Sequence, residues 1–296
     1  MVIAKYGLDN WDELKDFVGS EDRYRELTLL GRQYRHHMQI HVSSLQELTH
    51  ILDYTMPRVK KEFKSWNPEN GKDKLSDFVE KYWHYDNIKK LSEKQFLASY
   101  EKWSKKKGYR YNESQAIAIY QLSKNNIPTL KSSTSSTKML VLQAVKSVRD
   151  AELTLSLIIS QMQEIASTLP EYSVVNEMKG VGAVLSVRLI AEIGDVRRFH
   201  NGSALVAFAG IDAPPYESGS FVGTNRHISK RGSASLRKIG YEIMHALKVT
   251  KPTDDSAVYD FMIKKENEGK PKRVAKIAGF NKFLRIYYAR VMEVYC

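Results

Sequence analysis

Residues 23–57 read RYRELTLLGRQYRHHMQIHVSSLQELTHILDYTMP. Tyr24, Leu27, Leu30, Tyr34, Met38, Val42, Leu45, Leu48 and Leu52 recur at steps of three and four, the spacing that lines one face of an α-helix. The run ends at Met56-Pro57, because proline bars the preceding residue from the helical conformation. One long helix is therefore predicted. A second stripe, formed by Leu140, Ala144, Val148, Ala151, Leu155, Ile158, Met162, Ile165 and Leu169, predicts another that stops at Pro170. The stretch between them, Arg58 to Thr137, is less regular. It mixes Trp66, Trp83, Tyr85, Trp103, Tyr109 and Tyr111 with lysine clusters such as Lys105-Lys106-Lys107, and carries turn signals at Asn67-Pro68 and Ser132–Thr137. Several short helices are expected there. Beyond Pro170, glycines 180, 182, 194, 202, 210, 219, 223, 232 and 240 mark short helices and tight turns.

The pattern predicts an all-α chain. Two long helices flank a helical insert, and a compact domain follows, with boundaries at 1–57, 58–137, 138–170 and 171–296. The apolar stripes fit a coiled-coil-like stalk and the core of an ordinary bundle equally well.

Composition narrows the partners. The 296 residues carry a net charge of +12 and a pI near 9.4, which favours a polyanion such as DNA or RNA, although solubility alone also accommodates such an excess. One cysteine, Cys296, excludes an internal disulfide and suits a reducing compartment. The longest apolar stretch, Leu185–Ile193, is interrupted by Arg188 and Glu192, so no membrane segment is predicted. A soluble cytoplasmic protein is expected.

Three constellations could carry chemistry. Lys179-Gly180-Val181-Gly182 opens an apolar helix that ends at Gly194-Asp195. A Gly-x-Gly turn there aims backbone N–H groups outward at a positive dipole end, which grips phosphate without reading sequence, the logic of a helix-hairpin-helix. A plain glycine turn between core helices has the same signature. Ser218-Gly219 closes a connector stiffened by Pro214-Pro215, and Arg226, His227, Lys230, Arg231, Arg237 and Lys238 follow. A hydroxyl among guanidinium groups suits phosphoryl transfer, where cations offset charge on the phosphate oxygens. A serine before glycine is also an ordinary turn former. In the tail, Lys270 and Lys272 belong to a basic run interleaved with Phe280, Phe283, Tyr287 and Tyr288, which reads as phosphate contact or as a solvated face over an aromatic core. Asp9, Asp12, Glu13 and Asp16 read as an acidic helix start rather than a metal site.

In order and spacing, the last third resembles the C-terminal domain of the insertion-sequence-110/116/902 transposases, which include the Piv-type (DEDD) invertases. The resemblance is carried by Met178–Gly182, Ala191–Phe199, Ala207–Ile211, Ser218-Gly219, Ile228–Gly232, Leu236-Arg237, Gly269–Lys272 and Phe283–Ile286. Residues 2–56 resemble the segment that follows the family's last acidic motif. The resemblance implies DNA transposition with Ser218 as the nucleophile that becomes linked to DNA. It also implies Mg²⁺ held by three Asp and one Glu of an N-terminal RuvC-like domain. The last of those acids lie in a Lys-Thr-Asp-x-x-Asp motif upstream of the segment matched by Ile3–Gly7, so a truncated chain that binds no metal and is inactive alone is expected. Lys179, Gly180, Gly182, Arg226, Lys230, Arg231, Arg237, Lys270 and Lys272 are expected to contact nucleic acid. Family members multimerise and use a guide (bridge) RNA, so the implied partners are DNA, that RNA, and a second copy or a full-length transposase. A non-catalytic protein that binds nucleic acid or interferes with transposase multimers is the alternative. Glu217 departs from the family pattern, since an anion beside the nucleophile opposes phosphate approach.

Overall fold

The computed structural model describes residues 22–63, 73–213, 217–218, 221–222 and 227–296, the four residues at 217–218 and 221–222 by backbone only. The acids Asp9 to Asp16, the segment at Ile3–Gly7, and Trp66 with Asn67-Pro68 lie outside the described residues. The chain is all-α, with twelve α-helices and one two-stranded ladder of two residues per strand among the described residues. The long helices are α1, Asp22–Thr55, and α6, Ser135–Ser167. Both contribute residues to two compact units.

One unit spans Leu30–Glu164. Between the long helices it holds α2 (Lys74–Tyr82), α3 (Tyr85–Lys89), α4 (Glu93–Lys106) and α5 (Glu113–Asn125). Each start is capped as local chemistry requires: Asp73 accepts from Leu75 N, Ser92 and Gln95 form a reciprocal capping box, and Asn112 accepts from Gln115 N. The aromatics scattered among lysines are the core. Phe78 is fully buried, with ring centroids of Tyr82 at 4.8 Å, Phe63 at 5.1 Å, Trp103 at 5.8 Å and Tyr100 at 6.0 Å. Lysine stems cover the edge of this cluster, Lys81 Nζ lying 4.9 Å from the Tyr82 ring centroid. Arg149 of α6 clamps α2, reaching Asp77 at 2.6 Å and both Glu80 oxygens at 2.9 Å. Asp73 and Ser76 of the same helix start are also hydrogen-bonded.

The other unit joins residues 22–29 to Ile165–Cys296. It contains α7 (Tyr172–Glu177), α8 (Gly182–Ile193), a 3-10 turn at Val196–Arg198, α9 (Gly202–Ala209), α10 (Ala234–Thr250), α11 (Ala257–Asn267) and α12 (Lys272–Glu293). Helix α12 packs against α7, α9, α10 and α11. Its crossing with α10 is close because Gly240 lies under the Phe280 ring, where any Cβ would overlap, and Gly279 faces Met244 Sδ. Residues 22–29 dock through Tyr24, whose hydroxyl donates to Glu171 Oε1 at 2.7 Å, while Tyr295 donates to Glu171 Oε2 at 2.6 Å. Thr28 Oγ1 adds a bond to Ala191 O at 3.1 Å.

Two stability tests follow from these packings. Phe78→Ala should destabilise the aromatic cluster by about 3–5 kcal/mol, measured by urea unfolding, since a fully buried ring leaves a cavity. Burial, then the hydrogen bond to Glu171, raises the Tyr24 hydroxyl far above its usual range and pushes Tyr295 up to about 12. In the unfolded chain both phenols lose their protons near pH ~10, so the stability they confer is complete below that pH. It is lost as pH climbs through 12. Melting temperature should fall between pH 9 and 12, and Tyr24→Phe should flatten that fall.

Candidate nucleic-acid interface

The hairpin between α7 and α8 is built by two glycines that need their freedom. Gly180 has φ +82°, and a Cβ there would lie 2.7 Å from Leu247 Cγ and 3.0 Å from Ile243 O, so it lets the turn press against α10. Gly182 has φ +66° and opens α8 into free space, with nothing within 4 Å of where a Cβ would stand. The preceding Val181 supplies no side-chain cap. The first N–H groups of α8 thus lack a side-chain acceptor, the condition under which a helix start accepts an anion. Lys179 beside them is engaged: its Nζ lies 2.6 Å from Asp254 Oδ2. That hydrogen bond raises the lysine above its ordinary value and holds the Asp254 carboxyl below its own. Any anion approaching Lys179 would have to compete with Asp254.

The second element is a loop with a closed neck. Gly210, at φ +65°, lies so near the other side that a Cβ would stand 2.6 Å from Gly232 N, and a Cβ on Gly232 would overlap Phe208 O. Five hydrogen bonds cross the neck. Ser229 N donates to Asp212 O at 2.8 Å, Lys230 N to Gly210 O at 3.0 Å, and Ser233 N to Phe208 O at 2.8 Å. Ser229 Oγ donates to Asp212 Oδ1 at 2.6 Å, and Arg237 Nη1 donates to Ala209 O at 3.0 Å. The same Nη1 donates to Gly232 O at 3.0 Å. Arg237 therefore fastens the neck from α10, a positioning role that its spacing in the sequence does not disclose. Ser233 ends the neck and caps α10 by accepting from Leu236 N, while its hydroxyl donates to Glu192 Oε1 of α8 at 2.6 Å.

Within the segment that the neck closes, Glu217–Ser218 (β1) pairs antiparallel with Phe221–Val222 (β2), with Ser218 opposite Phe221. Ser218 is thus the last paired residue before a two-residue connection. Lys230 and Arg231 are exposed on the neck, Lys230 in the left-handed region at φ +54°. Arg226 lies outside the described residues. Lys270 lies in the turn between α11 and α12 and Lys272 is the first residue of α12; both are exposed, and Gly269 in that turn takes φ +81°. The structure brings together Gly210, Gly232, Arg237, Lys230 and Arg231, and separately Gly180 with α10. No three His, Cys, Asp or Glu side chains converge to hold a metal among the described residues. No described helix is long and apolar enough to cross a membrane.

Residues 172–259, which span the glycine hairpin, the neck, Ser218 and all of α10, match the sequence model of the transposase IS116/IS110/IS902 family. This segment is an IS110-type transposase domain. It covers less than half of the chain, and helix α12 lies beyond the matched residues. No curated protein matches the chain.

In the transposase domain the neck is the part most sensitive to a single methyl group. Gly210→Ala should cost about 3 kcal/mol or more, because it combines a positive φ with backbone overlap. Limited proteolysis between residues 213 and 227 should accelerate at the same time, whereas Gly182→Ala, facing open space, should cost roughly 1 kcal/mol from its φ alone.

Proposed function

We propose that this chain acts in DNA transposition, binding DNA through the α7–α8 hairpin and the neck cations while Ser218 serves as the nucleophile. The observation that carries the reading is that Ser218 ends a ladder in the segment closed by a neck that bears Lys230 and Arg231. In the proposed step the Ser218 hydroxyl attacks phosphorus of a DNA phosphodiester. A phosphoserine ester forms, the bond to one deoxyribose oxygen breaks, and the serine proton ends on that departing oxygen. Lys230, Arg231 and Arg226 would offset charge on the phosphate oxygens. The helix start at Gly182 would hold a neighbouring phosphate through backbone N–H groups, as a helix-hairpin-helix does.

No cluster of acids that could hold the family's Mg²⁺ is present among the described residues. The acids that hold it would lie outside the described residues, on this polypeptide or on a full-length transposase acting with it. A guide (bridge) RNA would suit the same cationic surface, since both polyanions present phosphates at similar spacing. The alternative, assembly with another transposase copy without chemistry, draws on Leu153 and Leu157. Both stand 62% exposed one turn apart on α6, as a helix awaiting a partner would present them.

A trans-complementation experiment tests the main reading. The purified chain is mixed with Mg²⁺, cognate DNA and a full-length relative whose own serine is replaced by alanine. A covalent DNA adduct on this chain is expected, and Ser218→Ala should remove it while leaving the DNA dissociation constant within about twofold. An adduct that survives Ser218→Ala, or none at all, rejects the nucleophile. Recombination by this chain alone would place the metal-holding acids on this polypeptide, and recombination only with the relative would place them on the relative. For the assembly reading, Leu153→Lys with Leu157→Lys should abolish co-purification with the full-length relative.

A further inference from the structure

The exposed face of α10 has a composition that the core does not require. Ala234, Lys238, Tyr241, His245 and Val249 follow at helical steps along one side, and all are exposed. Tyr241 is 55% and Val249 68% exposed, and no carboxylate stands in the stripe. Helix α12 adds to it. The close crossing at Gly240 and Phe280 brings Lys276, one turn before Phe280, over the Tyr241 ring, with Nζ 4.2 Å from the centroid. The first turn of α12 contains no acid and carries Lys272 and Arg273, both exposed. Two cations at the positive end of a helix dipole are mildly disfavoured there, and a bound anion would offset that cost.

The neighbouring carboxylates are already engaged. Glu242, next to Tyr241, accepts from Arg188 Nη1 at 2.6 Å, and Glu266 is bound by Lys248 at 2.5 Å. Lys238, Lys272, Arg273 and Lys276 form no ion pair among the described residues. An exposed tyrosine flanked by lysines that form no ion pair combines hydroxyl and ammonium donors at one surface. Such a surface matches a sugar-phosphate backbone: cations and a hydroxyl reach phosphate, and the ring lies against the sugar. It carries no fork of donors and acceptors for reading base edges.

We infer that the α10–α12 face, centred on Tyr241 and Lys276, is a second DNA contact that follows the backbone of a duplex without reading its sequence. The inference rests on the DNA-binding reading given above, and it adds a surface that neither the glycine hairpin nor the neck supplies.

The test is fluorescence-anisotropy binding of labelled duplexes of two unrelated sequences across a salt series. Lys238→Gln with Lys276→Gln, both surface changes, should weaken both duplexes equally. It should make the log–log salt dependence shallower by about 2, since each lost phosphate contact removes roughly 0.9. Tyr241→Ala should weaken binding several-fold with a smaller change in that slope. An unchanged slope in the lysine pair, while the wild-type chain binds normally, overturns this surface and leaves the hairpin and neck standing. Weakening confined to an RNA hairpin, with duplex binding intact, also overturns it. Absence of binding by the wild-type chain overturns both readings. Unaltered circular dichroism of the variants confirms that the comparison concerns the surface and not the fold.

Discussion

Two backbones touch at Gly210 and Gly232, and the arrangement of the transposase domain around Ser218 depends on that contact. Neither position can bear a side chain, because a Cβ on one would enter the main chain of the other. The contact closes a loop of about twenty residues, whose closure costs roughly 3 kcal/mol in chain entropy. The five hydrogen bonds that cross the neck contribute about 1 kcal/mol each, so the closure is sustained without help from the loop's tip. Lys230 is held at φ +54° by the same set, since its N–H is committed to Gly210 O. That strain of about 1 kcal/mol is small beside the bonds that impose it.

The neck also ties the separate parts of the domain together. Ser233 leaves it as the cap of α10 and bonds Glu192 on α8, while the hairpin that begins α8 presses Gly180 against Leu247 of α10. A displacement of α10 would therefore move both the serine loop and the helix start that offers N–H groups. The cations divide into two populations. Arg188, Arg197, Lys248 and Arg290 are committed to Glu242, Asp195, Glu266 and Asp255 within the fold. Lys230, Arg231, Lys238 and Lys276 form no ion pair among the described residues, and they lie at the neck and on α10 and α12. The positive charge that the composition reports is thus unevenly available.

Much of the architecture was legible in local spacing. Tyr24, Leu27, Tyr34, Leu48 and Leu52 are buried as their steps of three and four imply, and proline ends both long helices near where periodicity places the stop. The stripe is less faithful at Val42, which is 47% exposed, because a 3.6-residue period drifts away from fixed steps along a long helix. The aromatics of the insert were visible as residues but not as a core. Phe78, Tyr100 and Trp103 meet across α2 and α4, and no spacing within one helix reveals that. The site was legible as punctuation: glycines 180, 182, 210 and 232 announced turns. Their pairings depend on contacts distant in sequence, as do the neutralisation of Lys179 by Asp254 and the fastening of the neck by Arg237.

A nucleophile needs its oxygen within about 3–3.5 Å of phosphorus, with the leaving oxygen opposite. A ladder of two residues per strand adds little rigidity of its own. The limits on Ser218 must therefore come from the neck, which joins the two ends of the segment, and from the substrate. Lys230 and Arg231 sit on that same neck, so on the proposed reading a phosphate drawn to them would be registered against the segment that carries the serine. Backbone contacts elsewhere, at the α8 start and along α10 and α12, would fix how the duplex lies over that point. On this view much of the DNA affinity resides away from the reacting phosphate. Its energy would be spent on placing that phosphate, which is how remote binding would lower a barrier that the serine alone could not.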